Sequence, residues 1–302
     1  MKANLGQDTT NNSVTWAIKF CNTSEQPGWA IGKAHSEIRV LQNIQSLQGE
    51  ASTHIVKYYD AYNITISNTT WLVVCMERCA GTLSEFLESQ FYAGMDRGSK
   101  ITGIWDIARQ IATALRNLQS TPQQIMHRDI KPANGDSSES IVLISLVFFD
   151  REELPDTGEP HFVFKPGDFG LGRVYSPGQT QFVTPIPLTP NFQDPIMSTG
   201  RPYNTQVDDY CLGCIMEQSS KSLSPPDAVI TAIHTNLRGA PELRLKPEDI
   251  IAMACVRLEV GSDSPVLELA QQINDQKAYC VRKQLNPWSM PVVQWVDTRS
   301  FT

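Results

Sequence analysis

The stretch Met126-His127-Arg128-Asp129-Ile130-Lys131-Pro132-Ala133-Asn134 sets out a carboxylate, an ammonium and a carboxamide at the spacing Asp129-x-Lys131-x-x-Asn134. Such a set can handle a phosphate. Asp129 can orient a hydroxyl and accept its proton, Lys131 can neutralise charge on a phosphoryl group in transfer, and Asn134 can offer an oxygen to Mg²⁺. Pro132 stiffens the loop between the last two. Further along, Asp168-Phe169-Gly170 supplies another carboxylate, and near the amino end Trp16-Ala17-Ile18-Lys19 carries a lysine.

These residues need elements to bring them together. Asn11-Asn12-Ser13 is a turn signal and Val14 to Phe20 has strand composition, so residues 1 to about 20 are expected to form a hairpin with Lys19 on a strand. A helix is expected from Ala34, with Ala34, Ile38 and Leu41 on one apolar stripe. Glu37 shares that face, where a carboxylate without a cation would be costly, and Lys19 is the candidate partner. The alternatives are an ordinary edge-strand lysine and a solvated rim glutamate. Strands follow at His54 to Tyr62 and Thr70 to Met76, and helices at Leu83 to Gln90 and Ile104 to Leu118, the latter with Ile104, Ile107, Ile111, Leu115 and Leu118 on one face. Later helices are expected at 208 to 217, Pro247 to Leu258 and Pro265 to Ile273, the last two with Pro in the first turn.

The string around Asp129 resembles the catalytic loop of eukaryotic protein kinases, H-R-D-x-K-x-x-N, in its serine/threonine version. Trp16 to Lys19 is similar to the V-A-I-K of that family, Asp168-Phe169-Gly170 is its D-F-G, and Asp208-Asp209-Tyr210-Cys211-Leu212-Gly213 looks like the D-x-W-S-x-G that starts its central buried helix. The resemblance implies an α+β bilobal fold: a small antiparallel sheet with one helix as amino lobe (1–77), a mainly helical carboxy lobe (78–276) and a tail (277–302). It implies transfer of the ATP γ-phosphoryl group to Ser or Thr hydroxyls of protein substrates, with ATP and Mg²⁺ as cofactors. Asp129 and Lys131 would then be catalytic. Lys19, braced by Glu37, would hold phosphates, while Asn134 and Asp168 would hold Mg²⁺. Met76 to Cys79 resembles the hinge, where backbone groups of Glu77 and Cys79 would face adenine. The segment from Gly170 to Pro195 would be the activation loop, with Ser176, Thr180 and Thr184 as targets of an upstream kinase and Arg128 as the cation receiving the phosphate. Thr189 would support the catalytic Asp and Lys.

Three departures accompany the resemblance. Only Gly6 stands where a glycine-rich loop is expected, so the amino lobe is expected to be incomplete and to lack amides that cover the phosphates. Between Asn134 and Asp168 the chain carries an apparent insert, 135–146, ahead of a displaced strand at Val147-Phe148-Phe149 whose partner is His161 to Lys165. The A-P-E reads Asp194-Pro195-Ile196, and the place of its partner arginine, near Asp263, is not basic, so that ion pair is expected to be gone. A pseudokinase, keeping the fold as a scaffold without phosphoryl transfer, is the alternative reading.

The 302 residues are 41% hydrophobic with a net charge of −7, enough for a large core and the wrong sign for nucleic acid or an anionic membrane as main partner. No apolar run is long enough for membrane insertion. Seven scattered cysteines read as reduced thiols of an intracellular protein, cytoplasmic or nuclear. Cys211-x-x-Cys214 has no second pair and reads as core thiols rather than a metal site.

Overall fold

The computed structural model describes residues 2–7, 15–22, 37–45, 53–120, 124–130, 147–175 and 192–261, together with Val266 and Leu269. Strands β1 (Lys2–Gln7) and β2 (Thr15–Asn22) form the expected antiparallel hairpin, with Lys2 opposite Phe20 and Gly6 opposite Trp16. β2 pairs with β4 (Thr69–Glu77), which pairs with β3 (Tyr58–Ile66), giving one four-stranded antiparallel sheet in the order β1-β2-β4-β3. Ser67 and Asn68 both take positive φ (49° and 63°) between β3 and β4, the twist that closes a two-residue hairpin. Helix α1 (37–45) places Val40, Leu41 and Ile44 in one buried cluster with Leu72 and Val74 of β4.

β3 begins at Tyr58 rather than at His54. Residues 54–56 are buried, and the N–H of Val56 donates to Pro166 O at 3.1 Å, so this piece bridges toward a different hairpin instead of joining the sheet.

The rest is mainly helical. α2 (Leu83–Glu88), α3 (Gln90–Gly94) and α4 (Arg97–Ser120) precede β6 (Ile125–Met126), and α5 (Gln206–Ser220), α6 (Ala228–Leu237) and α7 (Pro247–Val260) follow later. The expected helix from Leu83 to Gln90 is split at Ser89, whose hydroxyl donates to Phe86 O and accepts from Tyr92 N, ending one helix and capping the next. α4 starts at Arg97, ahead of Ile104, because the Asp96 carboxylate accepts from both the N–H and the hydroxyl of Ser99. Its five predicted core residues are all buried, and α4 packs on α5 and α7. Truncating one such side chain costs about 2–5 kcal/mol.

Two small sheets carry the connecting loops. β5 (Gly81–Thr82), β7 (Val147–Glu153) and β8 (Pro160–Pro166) form one, with Val147 opposite Pro166 and Phe149 opposite Phe164, the hairpin expected on either side of residues 154–159. β6 and β9 (Arg173–Val174) form the other. The architecture is therefore α+β in two lobes, a small sheet with one described helix and a larger helical part. The insert 135–146 and most of the helix expected at Pro265 to Ile273 lie outside the described residues. Among the described residues no cysteine is joined in a disulfide, and Cys211 and Cys214 are buried on α5. Among the described residues no helix is long and apolar enough to cross a membrane.

Candidate active site

Lys19 lies mid-strand in β2, opposite Ala3 on one side and Val74 on the other, and is only 5% exposed. A buried ammonium needs counter-charge. It has two: Nζ is 2.5 Å from Glu37 Oε1 and 2.7 Å from Asp168 Oδ1. Burial works against the charge on Lys19, but the carboxylates of Asp168 and Glu37 outweigh it and hold the ammonium above the ordinary lysine range. The converse holds at Asp168, where burial pushes the carboxyl up and Lys19 more than reverses it, leaving its pKa lowered. The strand, the first turn of α1 and the turn after β8 thus meet at one cation.

Asp168 adopts a left-handed conformation (φ 52°, ψ 72°), and its carboxylate also accepts from the N–H of Gly170 at 3.3 Å. The next residue, Phe169, is buried with its ring 4.5 Å from that of His127. A Cβ on Gly170 would lie 3.2 Å from Asp168 Oδ1 and 3.8 Å from Lys19 Nζ, so a larger residue would crowd the charged cluster.

Asp129 is held by a second frame. The Asp208 carboxylate, fully buried at the start of α5, accepts from the N–H groups of His127 and Arg128, both at 2.8 Å. Arg128 has φ 69°, a conformation that costs a non-glycine residue about 1–3 kcal/mol and persists only where the surroundings impose it. On the other side of the turn, Gln193 Nε2 donates to Arg128 O at 2.9 Å and to Asp129 Oδ1 at 2.8 Å. His127 Nε2 is 2.8 Å from Gly167 O and must be the protonated nitrogen there, so the turn carrying Asp129 is tied to the turn carrying Asp168. Burial pushes the Asp208 carboxyl up to about 6, against the pull of the two N–H groups and of Arg128.

Glu77 ends β4 and Cys79 lies just beyond it, and their side chains belong to a separate charged knot. Lys165 Nζ lies 2.6 Å from Glu77 Oε1 and 2.7 Å from Asp150 Oδ2, while the Ala80 N–H donates to Asp150 Oδ1. Burial, then Asp150 and Glu77, push the Cys79 thiol up to about 12. Ligand atoms of Glu77, Cys79 and Asp150 lie within 4.8 Å of one another, as a cation site requires, and the Lys165 ammonium supplies the positive charge there.

Lys131, Asn134, Ser176, Thr180, Thr184 and Thr189 lie outside the described residues. The expectation that an ion pair is lost at Asp194-Pro195-Ile196 is corrected. Asp194 Oδ2 is 2.5 Å from Arg244 Nη1, with both side chains buried, and Asp194 Oδ1 accepts from Ile196 N. The carboxylate stands two positions before the expected one, and its arginine comes from the link between α6 and α7 rather than from near Asp263. Neither the place of Gln193 nor the role of Asp208 as a backbone acceptor follows from the sequence. Gln193 carries no charge and no motif that would mark it.

A family profile described as Protein kinase domain matches residues 6–228. The chain is 26% identical over 193 residues to a probable serine/threonine-protein kinase nek2 of Dictyostelium discoideum, covering 63% of this chain and 38% of that protein. It is 27% identical over 200 residues to serine/threonine-protein kinase Nek2 of Homo sapiens (63% and 36%). It is 26% identical over 204 residues to serine/threonine-protein kinase fused of Drosophila melanogaster (67% and 21%). The chain thus spans well under half the length of these relatives.

Proposed function

Because the chain belongs to the protein kinase family, we propose that it transfers the γ-phosphoryl group of ATP to Ser or Thr hydroxyls of protein substrates. The observation that carries this reading is the single cation Lys19, shared between Glu37 and Asp168 while Asp129 is hung from the same pair of turns. Lys19 would hold phosphate oxygens, with Glu37 keeping it in place. Asp129 would accept the hydroxyl proton as the new P–O bond forms and the bond from γ-phosphorus to the bridging oxygen breaks, releasing ADP. Lys131 would offset charge on the group in transfer, and the backbone at Glu77 and Cys79 would receive adenine. The carboxylate of Asp168 and the carboxamide of Asn134 are hard oxygen donors of the kind Mg²⁺ takes, and the ion would supply counter-charge to the phosphates when bound. The lobes would divide at Glu77/Arg78, with the tail from residue 277, and the setting would be intracellular, cytoplasmic or nuclear.

Regulation by an upstream kinase at Ser176, Thr180 or Thr184 belongs to the same reading. Arg128 donates through Nε to Leu171 O and through Nη1 to Tyr203 OH, while its buried Nη2 has no hydrogen-bond partner among the described residues. Burial and then the neighbouring Arg128 lower the pKa of Arg173, so two guanidiniums lie where an anion would be stabilised. A non-catalytic scaffold is favoured by one observation: Gly6 sits in strand register opposite Trp16 rather than in a phosphate-covering turn. Thermal unfolding with Mg²⁺ and ATP, followed by phosphate incorporation into a Ser/Thr peptide mixture, separates the two. The kinase reading expects stabilisation that is lost in Asp168→Ala, and incorporation abolished in Asp129→Asn. Binding without incorporation supports the scaffold.

A further inference from the structure

We propose that Gln193 is a positioning residue for phosphoryl transfer, fixing the plane of the Asp129 carboxylate and carrying to it the placement of the segment that follows the activation loop. The inference rests on Asp129 being the base of the proposed reaction.

The orientation of the Gln193 amide is dictated by its partners. It faces a carbonyl oxygen, Arg128 O at 2.9 Å, and a carboxylate oxygen, Asp129 Oδ1 at 2.8 Å. Both can only accept, so the NH₂ end must point at them, and its two hydrogens match the two acceptors. Gln193 is only 3% exposed and its bond to Arg128 O is buried, so the amide is held in place even though Asp129 itself is partly exposed. One amide therefore clamps the backbone and the side chain of the same turn, opposite the N–H groups that Asp208 holds.

Gln193 is itself placed from outside the turn. On one side, the Cys211 thiol of α5 lies 3.3 Å from Phe192 O. On the other, Asp194 is locked to Arg244 by the buried ion pair and caps Ile196. Arg244 in turn donates to Gly239 O and to Gln206 O, so its position is set by the ends of α5 and α6. The amide is thus the last member of a relay: Arg244 positions Asp194, the adjoining Gln193 follows, and Asp129 is aimed. A carboxylate accepts in about four directions, so holding Oδ1 from one side restricts its rotation. A neutral donor does this without the full opposing charge that a lysine or arginine at 193 would bring to the base. Orientation of a base is worth most when the reacting atoms meet, so its loss should appear in turnover rather than in substrate affinity.

The test compares native protein with Gln193→Met, which keeps the length and loses the donor, and Gln193→Glu, which keeps the shape and places a second carboxylate against the first. Initial rates with Mg²⁺, ATP and a Ser/Thr peptide mixture give kcat and KM, and thermal unfolding reports folding. We expect kcat to fall roughly 10- to 100-fold in Gln193→Met with KM for ATP and peptide within about twofold, and to fall further in Gln193→Glu. Native turnover with an unchanged kcat in folded Gln193→Met overturns the inference and leaves the kinase reading standing. Parallel collapse of kcat, KM and melting temperature in both variants shows a merely structural role and also overturns it. If Gln193→Met does not fold, the kcat and KM of Gln193→Glu decide by the same criterion. A native protein that binds Mg²⁺ and ATP but transfers no phosphate overturns the kinase reading, and the inference with it.

Discussion

At the scale of single residues, buried charge is the strongest constraint in this chain, and it was the most legible. A glutamate on the apolar stripe of a helix demands a cation, the resemblance of Trp16 to Lys19 to V-A-I-K singles out Lys19, and the two meet at 2.5 Å. The third member, Asp168, follows from its Phe-Gly neighbours. Gln193 was not legible, since a neutral amide signals nothing until its two acceptors are seen. Asp208 was legible as part of a motif but not as the acceptor for the N–H groups of His127 and Arg128, which is a tertiary fact. The arrangement around Lys19 makes a definite prediction. Lys19→Met removes the shared cation and strands two carboxylates, so it should destabilise the fold by about 3–5 kcal/mol near neutral pH, measured by denaturant unfolding. The sign with pH is also fixed. Asp168 has a lowered pKa in the native protein, so its stabilising contribution is present above the ordinary carboxylate value and lost as pH falls through the lowered one. In Lys19→Met burial acts on that carboxyl without its ammonium, so protonation relieves the variant and its deficit should shrink toward pH ~4. A deficit that stays constant or widens on acidification contradicts the account.

At the scale of elements, periodicity gave the existence of helices and side-chain caps gave their ends. The apolar stripe of α4 was readable from Ile104 to Leu118, but its first turns contain two glycines and depend on Asp96 holding Ser99, so its start was missed. Ser89 divided what apolar spacing read as one helix. α5 shows a different mismatch between pattern and environment. Its first turn buries two adjacent carboxylates, which suits the helix amino end but not a dry core. Burial pushes Asp209 up to about 8, with neighbouring Asp208 and Glu248 adding to the rise and Gln119 and Arg244 opposing it. A carboxyl whose folded pKa lies above its unfolded value favours the native state when protonated. Its contribution is therefore greatest below about pH 4 and is lost as pH rises toward the folded value. Asp209→Asn keeps an oxygen for Gln119 and cannot ionise. Its melting temperature should exceed that of the native protein by several degrees at about pH 9 and converge with it toward about pH 4. A variant less stable than native at both values would show that the charge on Asp209 is held by more than these neighbours.

At the scale of the whole molecule, the order of motifs along the chain carried the two-lobed plan, while the ties between its parts were invisible. Three of them meet at the β7–β8 hairpin and the turn that follows it: Val56 N ahead of β3 to Pro166 O, His127 after β6 to Gly167 O, and Lys165 of β8 to Glu77 of β4 as well as to Asp150 of β7. Two are backbone acceptors that no side-chain pattern announces. The third joins residues 88 and 15 positions apart, a separation at which sequence offers no means of choosing one lysine from another. Lys165 is nevertheless 5% exposed between two carboxylates, and burial, which lowers its pKa, is outweighed by Asp150 and Glu77 so that it stays charged. Glu77 ends β4 and Asp150 lies in β7, so this ammonium joins the amino-terminal sheet to the sheet that precedes Asp168. Lys165→Met should lower stability by up to about 3 kcal/mol, because removing the shared cation leaves two carboxylates facing each other with little water. Glu77 is less buried than Glu37 (15% against 3% exposed), while Asp150 and Asp168 are alike (21% and 22%), so the loss should be the smaller of the two. Adding Glu77→Gln and Asp150→Asn to Lys165→Met should recover much of the stability, since the stranded charges go while the N–H groups of Lys57 and Ala80 keep oxygen partners. The single variant's deficit should also survive about 1 M salt, where an exposed pair would be screened. Thermal unfolding of the single and triple variants at low and high salt checks both statements, and a deficit that salt abolishes would place the Lys165 cluster in solvent instead of between the two sheets.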